Sequence, residues 1–355
     1  MSRGWSGLRV LVTGGAGFVG SHLVEELLAR GATRVAVLDD LSTGRPENLE
    51  PARLEAGGGE LELRVGSVLD RALVDELVRD ADAVLHLAAV VGVRRVMERP
   101  RRCIEVNVHG AESVLEACAR WRRPVLVTSS SEVYGRGGGH RLSEGDRLSI
   151  GPPDSPRWVY ATAKLLGEQV ALALHREQGL PVVVTRLFNT VGPRQRVESG
   201  MVIPRFVAQA VRGEPITVHG TGRQARTFLD VRDCVRALAA LALHPEAAGR
   251  VFNVGGRDEI EVGALAERVR ERAGSSAEIL RTPHSETFGP GFEDVERRRP
   301  DLTRLDSLLE WSELRGLDAI LDELIELERS SLAGGASAPE LAGPAWWAKR
   351  SAAIG

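Results

Sequence analysis

The chain has 355 residues, a formal net charge of −3, and 43% hydrophobic and 27% charged residues. These are the proportions of a soluble globular protein with room for two domains, and the charge excludes a broad basic surface for nucleic acid or an anionic membrane. No apolar run approaches the roughly 20 residues that span a bilayer, and no basic leader with a cleavage site precedes the first strand. The three cysteines, Cys103, Cys118 and Cys234, are scattered without metal-ligand spacing. The expectation is a cytoplasmic protein with no metal, no nucleic-acid partner and no membrane partner, its cysteines packed in the core.

The first half alternates β-branched runs at 8–13, 34–39, 61–65, 83–87, 125–129 and 181–187 with amphipathic stretches at 19–30, 71–79, 103–120 and 159–178. Strands that are apolar on both faces and separated by helices predict an α/β fold, a Rossmann-type doubly wound parallel sheet. After residue 189 the pattern is irregular, with helices at 201–212, 231–244, 261–272 and 305–330 and short strands at 216–219 and 251–254. The spacing predicts a dinucleotide-binding domain over 7–188 and 226–256, with a smaller, interrupted α+β substrate domain over 189–225 and 257–331. Small residues and prolines predict a flexible tail over 332–355.

Thr13-Gly14-Gly15-Ala16-Gly17-Phe18-Val19-Gly20 joins the first strand to the first helix. Glycines there permit a tight turn, a close approach of backbone N–H groups to a pyrophosphate, and a helix N-terminus facing its charge. Asp39 closes the second strand, 19 residues past Gly20. A carboxylate at that place accepts from ribose hydroxyls and repels a 2′-phosphate, which favours NAD over NADP. The plainer reading is an ordinary strand-to-loop turn with a solvated aspartate.

Thr128-Ser-Ser-Ser-Glu-Val-Tyr-Gly135 lies at the C-terminal end of a strand, where open parallel sheets bind ligands. In Trp158-Val-Tyr160-Ala-Thr-Ala-Lys164, the tyrosine and lysine share one helix face. A phenol is a poor base at neutral pH, and a nearby ammonium together with an oxidised nicotinamide lowers its pKa. Tyr160 can then deprotonate a sugar hydroxyl, with Ser130 sharing the hydrogen bond. Of 46 lysines and arginines only Lys164 and Lys349 are lysines; a compact ammonium reaching both ribose and phenol is not replaceable by a planar guanidinium. The plainer reading is a surface lysine beside a packed tyrosine.

Together with His86-Leu-Ala-Ala89, Asn107, Arg186-Leu-Phe-Asn189, Val218-His-Gly220 and Arg226, these stretches resemble the extended short-chain dehydrogenases, the NAD-dependent epimerases and dehydratases, over residues 7–330. The resemblance implies bound NAD, contacted by Gly14, Gly17, Phe18, Val19, Gly20, Asp39, Ser67, Val68, Leu87, Ala88, Ala89, Asn107, Tyr160 and Lys164. It also implies a UDP-, dTDP- or GDP-sugar oxidised first at C4, and a homodimer formed through the helices carrying Asn107 and Tyr160. Ser67 stands where many relatives carry an aspartate against adenine, which implies altered adenine recognition. Asn189 and Arg226 are candidates for the diphosphate.

The stretches 130–135, 151–160 and 288–300 further resemble UDP-glucuronate decarboxylases and UDP-apiose/xylose synthases. By that resemblance Ser131, Glu132 and Arg298 join Ser130, Tyr160 and Lys164 as catalytic residues. Oxidising C4 of a glucuronate makes a β-keto acid whose C5–carboxylate bond breaks as electrons flow into the ketone. Arg298 would orient the carboxylate or help protonate the enolate, and Glu132 would position the ring. The alternatives are phosphate or uridine binding for Arg298 and a structural role for Glu132. At the level of activity they are a UDP-sugar 4-epimerase, then a 4,6-dehydratase, whose aspartate is replaced here by Ser131. A non-catalytic cofactor-binding regulator is a further reading, against which the retained tyrosine and lysine count.

Overall fold

The computed structural model describes residues 4–55, 59–137, 139–197, 200–288 and 294–334. The tail expected over 332–355 lies outside the described residues from 335 onward, as do residues 289–293 of the 288–300 stretch.

Seven strands, β1 (Arg9–Thr13), β2 (Arg34–Asp39), β3 (Glu60–Val65), β4 (Ala83–His86), β5 (Val125–Ser130), β6 (Val182–Leu187) and β7 (Arg250–Val254), form one parallel sheet. Its order is β7-β6-β5-β4-β1-β2-β3. The order reverses between β1 and β4, so a crevice opens beyond their C-terminal ends. The pleat explains why the strands read as continuous apolar runs. Val10 and Val12 of β1 face a core built with Leu23 and Leu27 of helix Phe18–Ala29 and Leu238 of helix Val231–Ala242. Leu11, between them, faces the opposite core with Val74 of helix Arg71–Asp80 and Val114 and Leu115 of helix Ala111–Trp121. Both faces are dry, as a doubly wound sheet requires.

A third core gathers Phe206 and Val207 of helix Val202–Arg212, Leu265 and Val269 of helix Val262–Arg272, and Ile320, Leu321 and Ile325 of helix Leu317–Ala333. Short strands edge it. Ile216–His219 pairs parallel with Ile279–Thr282, and Ala225–Thr227 lies between Glu259–Glu261 and Arg297–Arg298. Segments of two to four residues carry no period to read, and these pairings are legible only in three dimensions.

Two expected helices are interrupted. The stretch 103–120 runs instead through Pro100–Ile104, a wide π-turn at Glu105–Gly110, and Ala111–Trp121. In the π-turn the Asn107 amide clasps the loop after β4, accepting from Val90 N at 2.8 Å and donating to Val90 O at 3.0 Å. The stretch 305–330 divides into Thr303–Leu309 and Leu317–Ala333. Glu310, at φ 47°, ends the first piece, and the buried Asp233 carboxylate accepts from Leu314 N and Arg315 N, at 2.9 and 3.2 Å, in the gap.

Candidate active site

A cavity of about 660 Å³ runs along the C-terminal ends of the sheet. Gly14, Gly17, Phe18, Val19, Gly20, Asp39 and Val68 line one end, and Leu87, Ala88 and Ala89 the middle. Ser130, Ser131, Glu132, Tyr160, Lys164, Asn189 and Arg298 line the other. Chain segments far apart in sequence are brought into one groove.

At the glycine turn, Gly14 has φ +72°, and a Cβ on it would lie 2.7 Å from Ala88 N. A Cβ on Gly20 would lie 2.1 Å from Gly14 O. The helix Phe18–Ala29 therefore seats directly on the turn. Gly17 caps it without a side-chain hydrogen bond, which leaves the leading N–H groups to an anion. Asp39 is wired to the same turn: one carboxylate oxygen accepts from Ala16 N at 3.0 Å and the other from Leu41 N at 2.9 Å. Burial pushes its carboxyl above the ordinary value, and the two backbone donors pull it back. These residues fit the pyrophosphate and adenosine ribose of a dinucleotide. Gly20→Ala forces helix and turn apart, and is expected to destabilise the fold by about 1–3 kcal/mol, as overpacking does, read as a lowered Tm.

At the far end, β5 delivers Ser130 as the cap of the short turn Ser131–Tyr134, its hydroxyl accepting from Glu132 N at 3.2 Å. Ser130 lies beside the Tyr160 phenol and pulls its pKa down. Lys164 Nζ donates to Thr128 O at 2.8 Å, and burial pushes its ammonium down to about 8. The expected lowering of the phenol's pKa calls on the oxidised nicotinamide as well as the lysine; in the protein alone, burial pushes Tyr160 above its ordinary value, Ser130 opposes this, and Glu132 and Cys103 reinforce it. The lysine's charge is turned toward a strand carbonyl, so the protein alone leaves the phenol protonated.

Glu132 is held by two cations. Arg298 NH1 donates to its Oε1 at 2.7 Å, and Arg157 NH1 lies 2.7 Å from its Oε2. Burial would raise the carboxyl's pKa, but the two arginines hold it far below the usual carboxylate range. Arg298 arrives from 166 residues away. Its strand Arg297–Arg298 pairs with Ala225–Arg226, and Leu142 N donates to Arg299 O at 2.9 Å while Asp301 N donates to Leu142 O at 2.8 Å. Sequence reasoning assigned no role to Arg157. The signal was available: an arginine three positions before the tyrosine, inside a stretch already singled out.

Beneath this turn, Glu168 accepts from Arg186 Nε and NH2 at 3.0 and 2.8 Å and from the Ser129 hydroxyl. The Arg186 guanidinium lies 4.8 Å from the ring centre of Tyr134, whose hydroxyl donates to Asn253 Oδ1 at 2.7 Å. This buried network ties β5, β6 and β7 to the tyrosine helix Val159–Gln178.

Residues 10–255 match the sequence profile of the NAD dependent epimerase/dehydratase family. The chain belongs to that family. It is 37% identical over 304 residues to the UDP-N-acetyl-alpha-D-glucosaminuronate decarboxylase of Bacillus cytotoxicus, covering 85% of this chain and 92% of the relative. It is also 37% identical over 305 residues to UDP-glucuronic acid decarboxylase 2 of Arabidopsis thaliana, covering 86% of this chain and 64% of that longer protein. Among solved structures, DesIV, a dTDP-glucose 4,6-dehydratase from Streptomyces venezuelae with NAD bound, superposes with a TM-score of 0.82 at 29% identity. That match covers 92% of this chain and 98% of the other.

Three residues expected at the ligands of this epimerase/dehydratase fold lie off the cavity wall. Ser67 turns its hydroxyl to Leu69 N at 3.2 Å, while its neighbours Gly66 and Val68 line the groove. Asn107 is occupied with Val90 and positions the loop, of which Ala89 and Val90 face the cavity. Arg226 NH2 donates to Asp294 Oδ1 at 2.9 Å and NH1 to Ala225 O at 2.8 Å. Asn189 lines the cavity and donates to Thr227 O at 2.9 Å. Among the described residues, no helix is long and apolar enough to cross a membrane, and no cluster of three or more metal-ligating side chains occurs.

Proposed function

We propose that the chain is an NAD-dependent decarboxylase of a UDP-linked uronic acid, most simply UDP-glucuronate, yielding UDP-xylose or the 4-keto pentose. The observation that carries this reading is the charge at the reacting end. Arg157, Glu132 and Arg298 together hold one surplus positive charge, and Arg298 Nε and NH2 are buried with no hydrogen-bond partner in the protein. The nearby Arg226 is offset by Asp294. A neutral sugar gives such a site nothing to hold, whereas a uronate supplies a carboxylate. The two decarboxylase relatives support the same reading.

Bound NAD would supply the two-electron acceptor that turns C4 into a ketone, held by the glycine turn and Asp39. Tyr160 takes the proton of the C4 hydroxyl and Ser130 steadies the oxygen. Arg298 aligns the carboxylate, the C5–carboxylate bond breaks, CO2 leaves, and the bonding pair moves into the C4 oxygen as an enolate. Ser131 and Glu132 form the floor beside it. A proton then returns to C5; in the xylose-forming version C4 is reduced again and Tyr160 gives its proton back. Asn189, which lines the cavity, is assigned to the diphosphate; Arg226, turned to Asp294, is not.

The division into a dinucleotide domain (7–188 and 226–256) and a sugar domain (189–225 and 257–331) follows the same reading, as does a cytoplasmic homodimer. Exposed Ile104 and Leu166, on the helices beside the Asn107 turn and on the tyrosine helix, support that pairing face. Asp39 makes NAD the preferred dinucleotide. Asp39→Ser should cut the preference for NAD over NADP by about tenfold, measured as the ratio of their Kd values.

Incubation with UDP-glucuronate and NAD should release CO2 and leave a nucleotide sugar lighter by that mass. UDP-glucose converting to UDP-galactose, with the uronate intact, would favour a 4-epimerase instead. A parallel arm with UDP-N-acetylglucosaminuronate separates the two uronates.

A further inference from the structure

Arg157 is 7% exposed, lines the cavity, and reaches the Glu132 carboxylate oxygen that Arg298 leaves open. An arginine and a carboxylate left to themselves favour a two-pronged pair, which uses two guanidinium nitrogens and cancels both charges. Here Arg157 NH1 lies 2.7 Å from the second oxygen as an ion pair, so that prong is held by charge rather than by a hydrogen bond. Arg298 therefore spends NH1 alone on Glu132, while its Nε and NH2 stay buried and unsatisfied. Such nitrogens are costly to hold out of water, and a site retains them where a ligand brings the acceptor.

We infer that Arg157 determines specificity for a carboxylate-bearing sugar: by occupying Glu132 it keeps Arg298 unsatisfied and so reserves a positive charge and two N–H groups for the substrate's carboxylate. The identity of that carboxylate rests on the decarboxylase reading above. Arg157 is a positioning residue, because it works through Glu132 and Arg298. Without its charge, Arg298 swings into a two-pronged pair with Glu132 and its affinity for a second carboxylate disappears. A sugar lacking a carboxylate asks nothing of Arg298, and its binding does not depend on Arg157.

The test uses the NAD-loaded enzyme, with KM and kcat for UDP-glucuronate and the inhibition constant of UDP-glucose as readouts. Arg157→Gln should raise the KM for UDP-glucuronate by about tenfold or more, the value of one charge-assisted hydrogen bond. The inhibition constant of UDP-glucose should stay within about twofold of the original. Arg157→Lys, which keeps the charge, should recover most of the loss. Equal weakening of both ligands, the mark of a merely structural role, would overturn the inference, as would an unchanged KM. Should Arg157→Gln fail to fold, Glu132→Gln gives a second reading. It releases Arg298, so KM for the uronate should hold or fall even as kcat drops, and a KM raised as in the arginine variant's prediction would sink the idea. A wild-type enzyme that leaves UDP-glucuronate intact refutes the decarboxylase reading itself, a separate outcome.

Discussion

Replacing Tyr160 with phenylalanine is expected to lower turnover on UDP-glucuronate by about 10²–10⁴-fold, the usual worth of a positioned acid–base group, while NAD binding at the glycine turn persists. The ring stays, so packing around the tyrosine helix is preserved, and what disappears is the hydroxyl beside Ser130. Because burial raises the phenol, the ionised base is scarce near neutrality, and activity should climb with pH before the Tyr160→Phe change and lose that limb after it. The chain makes the check unusually clean, since it has two tyrosines. Tyr134 is pushed up to about 12 by burial and is tied to Asn253. Tyrosinate absorbance that develops on adding NAD below pH 10, and that vanishes in Tyr160→Phe, belongs to Tyr160. Wild-type turnover by the phenylalanine variant would remove the phenol from the mechanism.

Arg298→Gln is expected to reduce CO2 release by about 10²-fold or more, comparable to deleting one preorganised donor at a developing anion. The variant removes two buried nitrogens that have no hydrogen-bond partner in the protein and one of the two cations on Glu132. Arg157 remains, so the carboxylate keeps a partner, and the stability loss should be about 2–3 kcal/mol, below that of stripping a buried charge bare. The linkage has a definite sign. Glu132 is held below its ordinary pKa in the fold, so its contribution is fully present above the unfolded value and is lost progressively as pH falls from there to the depressed folded value. With one arginine gone that folded value rises, and acid unfolding of Arg298→Gln should begin at higher pH than in the wild type. Oxidation at C4, seen as NADH absorbance with the uronate intact, should outlast decarboxylation in this variant. Loss of both steps in equal measure would place Arg298 at substrate binding alone.

The sheet was legible in the sequence because its strands are Val- and Leu-rich on both faces, and burial on both sides leaves that composition as its imprint. The glycine turn was legible for a different reason: the collisions awaiting a side chain at Gly14 and Gly20 leave no other residue type suitable. The serine, tyrosine and lysine could be placed because strand end and helix pitch are local geometry. What escaped was long-range. The Arg157–Glu132 pair joins two turns with no periodicity. The direction of Lys164 toward Thr128 O depends on how its helix docks on β5, and so does the protonated state of the Tyr160 phenol. Asn107 carries the same lesson. Its identity suggested a ligand contact, whereas its position in a π-turn gives it a backbone to hold.

The two-residue strand that presents Arg298 has a consequence for how the enzyme matures. The sheet is complete once β7 has been synthesised, yet the guanidinium that finishes the reacting end lies further along and is stitched in through Leu142 and Ala225. During synthesis, then, the glycine turn and all seven strands leave the ribosome before the arginine that completes the reacting end.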